Sequence, residues 1–476
     1  GHPKGIGVPC HGAVGFHNTN KNTAVQTVTT VIAIGTGGIG AGGARNEDDL
    51  FTIGSFGIGD GGNLLADALA HDGDLIAMLA VAQVDVEQPR QHQHDDVQQL
   101  ALQRNRFEQL SDTDFRFFLQ QIEGRQRTHD KLPTFAQKAD WWYPVRLSCE
   151  QCSSEATARY KAELIGRKND ILIDLTAGYG VDTFFMAEHM QQAHYVERNA
   201  DLCAIAEHNF SLYRPKIQVH NTTAEEFLAS LPISNSQYPI SNTLIYLDPA
   251  RRSQSGNKVF RIEDCEPNVI DILPALRKHT SSILIKFSPM LDITAALRVL
   301  GKDWDTHVVA VNNEVKEVLF FTGIGATHAV NIRATHTDRF VFNDEDEKNA
   351  PIQMAFDMQQ YIYEPNAAII KAGAFRLVGE RYGLQKLDTH THLYTSDTLL
   401  PDFPGRVWEL EEIISKHSQL DTKHKYAILT RNYPLSPDQV RKKYKLKDGD
   451  DRYIIGARHQ GKARLILARR LSSESR

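Results

Sequence analysis

Apolar and polar residues recur with two different periods between residues 171 and 322. Short apolar runs of β-strand composition alternate with longer segments whose apolar residues recur every three to four positions. The pattern predicts strands at 171–173, 194–196, 217–219, 244–247 and 282–287, helices at 200–213 and 224–231, and a final hairpin of 308–311 and 318–322. Because short loops join these elements, we predict an α/β fold built on a seven-stranded, mostly parallel sheet.

Two further patterns lie before this region. Phe115, Phe118 and Ile122 share one face of a predicted helix that Asp112 or Thr113 caps and that ends near position 124. A second helix is predicted over 151–165. The aromatic run 141–143 is suited to stacking on bases, but packing against the following domain is the favoured interpretation.

Composition divides the chain into parts. Glycine occupies 17 of the first 94 residues but only 15 of the other 382. We expect residues 1–94 to be a leader that is disordered, or translated from upstream of the natural start. We predict a helical part at 95–145, the main α/β domain at 146–330, and two small α+β modules at 350–400 and 401–476. Residues 326–350, which are polar and acidic, are interpreted as a solvated connection.

Bulk composition excludes several classes of protein. Hydrophobic residues make up 41% and charged residues 24% of the chain, as in water-soluble globular proteins. No apolar run approaches the roughly 20 residues that span a bilayer. Five cysteines are too few for a disulfide scaffold of this size, so a reducing cytoplasm is expected. The net charge of −6 hides a basic C-terminal part, because residues 401–476 hold 17 Lys and Arg against ten Asp and Glu.

Three acidic residues each close a predicted strand: Asp174, Glu197 and Asp248. Because the carboxyl ends of parallel strands share one edge of a sheet, we expect these carboxylates to meet at a ligand site. Gly178 and Gly180 follow the first strand and allow the backbone to approach a ligand closely. The helix after this turn offers unpaired N–H groups to a carboxylate or phosphate.

Spacing within this segment distinguishes an S-adenosylmethionine (SAM) site from a dinucleotide site. Glu197 lies 19 residues after Gly178, where a carboxylate can accept both hydroxyls of a ribose. A dinucleotide site would carry G-x-G-x-x-G, but Gly180 is followed by Val-Asp-Thr. An ordinary glycine-containing turn of an unrelated α/β protein is the alternative. The pattern predicts a SAM site formed by Asp174, Thr176, Gly178, Gly180, Asp182, Glu197 and Asp248.

The loop Asp248-Pro249-Ala-Arg251-Arg252 is the predicted catalytic segment. Pro249 fixes the turn and directs the Asp248 carboxylate toward the transferred methyl group. There the carboxylate is expected to orient an amine acceptor or to take a proton from that amine. Arg251 and Arg252 are suited to holding a phosphate or carboxylate. The alternative is a loop ion pair between Asp248 and one arginine. Methyl transfer by direct displacement needs no catalytic cysteine.

Metal-ligand patterns in the sequence are incomplete. Cys149 and Cys152 have the spacing of half a zinc site, but no second pair or histidine partner accompanies them. His390 and His392 alternate as residues of a strand do. We therefore predict no metal site.

Several segments together resemble the bacterial class I SAM-dependent methyltransferases that have a THUMP-like C-terminal domain. They are CEQCSSEATARYK at 149–161, the turn after Asp174, DPARR at 248–252, KFSPMLD at 286–292, YEPNAAIIKAG at 363–373 and RNYP at 431–434. The resemblance covers roughly residues 95–472. It implies a helical N-terminal part, a Rossmann-like domain, and then ferredoxin-like and THUMP-like modules.

The same resemblance assigns roles to residues. It implies that Asp174, Gly178 and Gly180 form the SAM loop, that Glu197 holds the ribose and that 248–252 faces the acceptor. Class I enzymes often place an acid after the third strand to bind the adenine amine, whereas this chain has threonines at 222–223 and an acid, Glu225, slightly later. Adenine recognition is therefore expected to use backbone groups.

The leading hypothesis is a cytoplasmic SAM-dependent methyltransferase that acts on structured RNA, either tRNA or rRNA. The basic C-terminal module would dock the RNA, and neither DNA nor membrane binding is expected. A small-molecule or protein methyltransferase is the alternative favoured by the near-neutral charge of the catalytic part. A SAM-binding or RNA-binding protein without transfer activity is a further alternative.

Overall fold

The computed structural model describes residues 95–166, 169–231, 242–251, 261–301, 303–322, 327–333, 336–416 and 419–472. It also describes two short antiparallel strands, Gln26–Thr27 and Gly57–Ile58. The chain divides into two compact units, Gly1–Gln83 and Val84–Arg476. Apart from the two short strands, the leader expected over 1–94 lies outside the described residues. Within the described part, no helix combines the length and apolar character that crossing a bilayer requires.

Helices dominate the described chain up to residue 166. They are α1 (Val97–Leu102), α2 (Asp112–Thr128), α3 (Pro133–Ala136), α4 (Arg146–Gln151) and α5 (Glu155–Ile165), with a 3-10 turn at Arg104–Phe107. The predicted amphipathic helix is confirmed as α2, which buries Phe115, Phe118 and Ile122. The predicted caps were wrong, because Ser111 caps the helix through its hydroxyl, and the helix ends at Thr128 and not near position 124. The helix predicted over 151–165 corresponds to α5, which has its own N-cap at Ser154.

The aromatic run at 141–143 packs against the main domain, as the favoured interpretation held. Trp141 is buried and stacks on Phe135 with ring centroids 3.9 Å apart. The Trp141 indole N–H donates to the Tyr179 hydroxyl at 2.7 Å. Trp142 stacks on His208, with the two rings 3.7 Å apart and 7° from parallel. The run therefore fastens the helical part to the domain that follows.

The main domain alternates strands and helices. Its strands are β1 (Ile171–Asp174), β2 (Gln192–Glu197), β3 (Ile217–Asn221), β4 (Thr243–Leu247), β5 (Ala250–Arg251), β6 (Cys265–Glu266), β7 (Ser282–Phe287), β8 (Trp304–Val311), β9 (Glu314–Thr322), β10 (Thr327–Arg333) and β11 (His336–Phe342). Its helices are α6 (Val181–Met186), α7 (Ala200–Tyr213), α8 (Ala224–Ser230), α9 (Val269–His279) and α10 (Ile293–Leu300), with 3-10 turns at Ala187–His189 and Ile262–Asp264.

One sheet unites nine of these strands in the order β11-β10-β8-β9-β7-β4-β1-β2-β3. Strands β7, β4, β1, β2 and β3 are parallel, and β9 runs antiparallel to both β7 and β8. Ile171 and Ile173 pack into one buried cluster, whereas Leu172 between them packs into another. Both faces are therefore covered, as in doubly wound α/β proteins. The α/β fold class is confirmed.

The sheet continues beyond the seven predicted strands. Strand β10 pairs parallel with β8, and β11 pairs antiparallel with β10. A short helix, α11 (Asp344–Asn349), follows. The interpretation of 326–350 as a solvated connection was therefore wrong. Buried Ala329, Val330, Phe340 and Phe342 anchor these two strands, but the polar residues between them obscure the pattern.

The C-terminal part forms a second sheet. Its strands are β12 (Tyr361–Pro365), β13 (Gln385–Asp388), β14 (Thr391–Ser396), β15 (Gly405–Ile414), β16 (Lys425–Arg431), β17 (Lys447–His459) and β18 (Lys462–Leu471), and its helices are α12 (Ala367–Ala372), α13 (Leu377–Tyr382) and α14 (Pro437–Tyr444). The strand order is β13-β14-β12-β15-β18-β17-β16, so the two predicted modules share one continuous sheet. Buried Glu364 on β12 pairs with Arg406 and Arg431, which lie on β15 and β16.

A buried ion cluster, consisting of Lys161, Asp182 and Glu317, fastens three elements of the main domain. The Lys161 side chain on α5 has no exposed surface, and its Nζ lies 2.7 Å from Glu317 Oε2 on β9 and 3.2 Å from Asp182 Oδ1 on α6. Burial raises the pKa of Glu317, although the Lys161 charge opposes this shift. Removal of one charge from such a cluster leaves the others buried without compensation.

We predict that Lys161→Met lowers the free energy of unfolding by about 3–5 kcal/mol, the usual cost of breaking a buried ion pair. Urea denaturation followed by circular dichroism measures this change. Lys316→Met is the matched control, because Lys316 is exposed and pairs only at the surface with Glu314. Equal stability of the two variants would contradict a structural role for the cluster.

Candidate active site

A cavity of about 790 Å³ opens at the carboxyl ends of β1, β2, β4 and β7. This is the edge at which ligands bind in open parallel sheets, and the volume suits a nucleotide-sized ligand. The predicted residues that line it are Asp174, Thr176, Gly178, Gly180, Asp182, Glu197, Asp248 and Pro249. Arg251 is part of the short strand β5, and Arg252 lies outside the described residues.

The glycine-rich turn is held from outside the cavity. Gly178 and Gly180 have φ angles of 55° and 81°, which L side chains rarely adopt. A Cβ on Gly180 would lie 2.7 Å from the Phe210 ring, so this position also needs glycine for space. The Tyr195 hydroxyl donates to the Gly178 carbonyl. The turn therefore has a fixed shape.

Glu197 joins the ends of β1 and β2. Its Oε2 accepts the N–H of Gly178 at 3.0 Å, and its Oε1 accepts the N–H of Asn199 at 2.8 Å. Each carboxylate oxygen has a second lone pair, so Glu197 can still accept hydroxyls from a ligand in the cavity. The residue both shapes the turn and presents an acceptor to the cavity.

Asp174 lies beneath the turn and is fully buried. Its Oδ2 accepts the Thr183 hydroxyl at 2.6 Å, and its Oδ1 accepts the Thr176 N–H at 3.2 Å. Burial raises the pKa of Asp174 to about 8, with Asp182 adding to the shift. A carboxyl with this pKa is largely protonated at neutral pH, so Asp174 supports the turn without adding a full charge.

Asp182 directs its carboxylate to the protein. Its Oδ2 accepts the hydroxyls of Ser153 at 2.8 Å and Tyr246 at 2.7 Å, while Lys161 lies beside Oδ1. Burial alone would raise the pKa of Asp182, but the charges of Lys161 and Lys286 hold it below its ordinary value. This carboxylate is therefore an ionised part of the cavity wall.

Asp248 is fixed by two contacts at the end of β4. Its backbone N–H donates to the Thr176 hydroxyl at 2.6 Å, and its Oδ2 accepts a hydrogen bond from Lys286 on β7. Burial alone would lower the pKa of Lys286, but the neighbouring carboxylates, Asp248 above all, raise it. Lys286 is thus a cation at neutral pH. Among the described residues Asp248 pairs with this lysine, whereas the alternative of a loop ion pair with Arg251 or Arg252 falls on side chains outside the described residues.

The far end of the cavity follows β3. Thr222, Thr223, Ala224 and Glu225 line it together with Leu202. Thr223 caps α8 by accepting the N–H of Glu226, and Thr222 donates its hydroxyl to the Glu226 carboxylate at 2.7 Å. This end therefore offers the carboxylate of Glu225 as well as backbone groups.

One cluster of residues with metal-ligand chemistry does not line this cavity. Ligand atoms of Asp305, His307 and His328 lie within 4.8 Å of one another. The two imidazoles stack 4.2 Å apart and 2° from parallel, so their in-plane lone pairs do not converge on one ion. Cys149 is buried, and burial raises the pKa of its thiol to about 12.

Other lining residues were not identified from the sequence. They include Ser148, Gln151, Cys152, Ser153, Arg198, Glu266, Lys286 and Met290. The sequence does mark Lys286 as unusual, because it is a lone cation inside the apolar strand 282–287. Its partner could not be inferred, since Asp248 belongs to another strand.

Comparisons with known proteins agree with this architecture. Residues 361–404 match a family model described as a ferredoxin-like domain, and residues 405–470 match one described as THUMP domain-like. Two curated relatives, uncharacterized SAM-dependent methyltransferases from Mycobacterium tuberculosis strains H37Rv and CDC 1551, are each 24% identical over 315 residues. The matches cover 64% of this chain and 82% of each relative.

A solved structure extends the match over most of the chain. It is the crystal structure of a candidate methyltransferase from Porphyromonas gingivalis W83, with 32% sequence identity and a TM-score of 0.72. The alignment covers 84% of this chain and 100% of that chain. This identity and coverage show that the chain belongs to the class I SAM-dependent methyltransferases with ferredoxin-like and THUMP-like C-terminal domains.

Proposed function

We propose that this SAM-dependent methyltransferase transfers the methyl group to a nucleotide of structured RNA, tRNA or rRNA, in the cytoplasm. The observation that carries the RNA assignment is the THUMP-like domain at 405–470. A domain of this kind is expected to dock RNA while the main domain performs the chemistry.

The cavity has a donor and acceptor set that suits SAM. In this proposal Glu197, which lines the cavity, accepts the ribose hydroxyls, and Thr222 and Thr223 border the end assigned to adenine. The turn at Gly178 and Gly180 is assigned to the amino-acid end. When bound, SAM supplies an activated methyl group on a sulfonium. In this proposal Asp248 and Pro249 face the acceptor at the opposite side of the cavity, and Arg251 and Arg252 hold its phosphate or carboxylate groups.

The C-terminal domain presents a basic surface, which we define as Lys425, Lys442, Lys443, Lys445 and Lys447. All five side chains are exposed. Three lie at the C-terminal end of α14, and Lys425 and Lys447 are register partners on β16 and β17. Exposed lysines arranged on one domain neutralise phosphates by releasing counterions, without reading bases. This surface supports docking of an RNA backbone.

A protein or small-molecule acceptor is the second candidate, because the cavity entrance is partly apolar. Met290 lines the cavity and its side chain is 71% exposed. Val145 and Leu147, just before the lining residue Ser148, are 56% and 60% exposed. An apolar entrance suits a hydrophobic peptide or small molecule as well as the face of a base.

We expect Glu197→Ala to weaken SAM binding by about 1–3 kcal/mol, the usual cost of losing a charged hydrogen-bond partner. The dissociation constant then rises about 5- to 150-fold, as measured by isothermal titration calorimetry. Glu207→Ala is the control, since Glu207 is exposed on α7 and does not line the cavity. An unchanged SAM affinity would remove Glu197 from the proposed ribose contact.

Reversal of the basic surface tests the RNA proposal without disrupting the fold. A deletion of 401–476 would be uninformative, because β15 pairs directly with β12. We expect Lys442→Glu, Lys443→Glu and Lys445→Glu, combined in one variant, to weaken RNA binding at least about tenfold at physiological salt. SAM affinity should stay at the wild-type value.

The control variant carries the same change of charge on exposed residues of the helical and main domains: Arg116→Glu, Lys278→Glu and Lys316→Glu. RNA affinity is measured by filter binding over a series of salt concentrations. The salt dependence should become shallower in the first variant only. Equal RNA affinity for the two variants would reject the basic surface as the docking site and favour the second candidate.

A further inference from the structure

A lysine lies beside Asp248 at a place where the strand pattern calls for an apolar residue. Lys286 is on β7 between the buried residues Ile285 and Phe287. Its side chain is 15% exposed and donates to Oδ2 of Asp248, whose side chain is 35% exposed. The lysine is therefore the more deeply placed partner, and it holds the carboxylate from the protein side.

Lys286 is itself part of a longer series of charges. Asp248, Lys286, Asp182, Lys161 and Glu317 alternate in sign from the cavity to the interior, and we call this series the charge ladder. Lys161 contacts both Asp182 and Glu317, and Lys286 interacts electrostatically with Asp248, Asp182 and Glu317. The inner three charges are buried and cannot reorient without losing these partners. The ladder therefore fixes the position of the Lys286 ammonium group.

This arrangement distinguishes two roles for Asp248 that the sequence left open. A carboxylate that takes a proton from the acceptor works better when it can move and when its neighbour is neutral, because a cation beside it lowers its basicity. Here Oδ2 is engaged by a cation, whereas no hydrogen bond to Oδ1 is found among the described residues. Each carboxylate oxygen has two lone pairs, so Asp248 can accept a hydrogen bond from a donor in the cavity while Lys286 holds Oδ2.

We propose that Lys286 is a positioning residue that keeps Asp248 oriented as a hydrogen-bond acceptor for an amino group of the methylated base. This inference rests on the proposed function and names its substrate class: an amine nitrogen bearing N–H, and not a ribose hydroxyl. A neutral amine needs orientation before the transfer but no prior deprotonation. A hydroxyl acceptor would need a base, which a carboxylate already paired with a cation serves poorly.

The transfer step balances without a further reactant. The nitrogen lone pair forms the new C–N bond as the C–S bond breaks, and the electron pair of that bond remains on sulfur, which becomes a neutral thioether. The nitrogen then carries the positive charge. The negative charge of Asp248, in hydrogen-bond contact, stabilises this developing cation. The methylated nitrogen afterwards releases its proton to water.

A double-mutant cycle tests whether Lys286 acts through Asp248. We expect Asp248→Asn to lower kcat by about 10²-fold or more and Lys286→Met to lower it by about tenfold or more, with KM for RNA changed little. The double variant should be no slower than Asp248→Asn alone, because the two residues act as one unit. Lys286→Arg should restore most of the loss, and Lys316→Met serves as the exposed-lysine control.

Losses that multiply in the double variant would overturn the inference, because Lys286 would then act independently of Asp248. Wild-type behaviour of Lys286→Met would overturn it as well. Digestion of the labelled RNA to nucleosides is a second test, because it identifies the methylated atom. Label in an N-methylated base supports the inference, and label in a 2′-O-methylated ribose overturns it.

A binding measurement keeps the test independent of turnover. SAM carries a positive sulfur and S-adenosylhomocysteine a neutral one, so the ratio of their affinities reports the charge near the sulfur. Removal of the Lys286 cation should raise this ratio in favour of SAM by about threefold or more, whereas Lys316→Met should not. An unchanged ratio would overturn the inference.

Failure of wild-type enzyme to label RNA would instead count against the proposed substrate. The affinity ratio would still test the role of Lys286.

Discussion

The burial of Lys161 is the constraint on which the arrangement of the active site depends. A lysine with no exposed surface needs nearby carboxylates, and Glu317 and Asp182 supply them from β9 and α6. This requirement fixes the antiparallel strand β9 relative to the helix that follows the glycine-rich turn. Asp182 is thereby directed into the protein, where it also accepts the hydroxyls of Ser153 and Tyr246. The cavity wall is consequently a rigid, charged surface.

The second sheet contacts the segment that borders the cavity entrance. The Lys371 ammonium on α12 donates to the Leu291 carbonyl at 2.7 Å, and the Ala367 N–H donates to the Asn313 side chain at 2.8 Å. Leu291 directly follows Met290, which lines the cavity. Apolar residues of β8, β10 and β11 also share a buried cluster with residues of the second sheet. The C-terminal domains thus contact the segment that follows a residue of the cavity wall.

Features encoded by local pattern could be predicted from the sequence. Asp174, Glu197 and Asp248 each end an apolar strand, and parallel topology brings such ends together, so their common location followed from spacing alone. Pairings between distant segments could not be predicted. Lys161 and Glu317 are 156 positions apart, and neither one indicates its partner. The pairing of β12 with β15, which merges the two C-terminal modules into one sheet, also joins segments that are distant in sequence and could not be predicted.

The most direct test of the account is transfer of labelled methyl from SAM to RNA, protein and small-molecule fractions taken from cells that lack the gene. Wild-type protein should label the RNA fraction, Asp248→Ala should bind SAM yet leave the RNA unlabelled, and Asp271→Ala, an exposed change on α9, should behave as wild type. Label confined to the protein or small-molecule fraction would contradict the RNA assignment. Undiminished transfer by Asp248→Ala would contradict the proposed chemistry of the site.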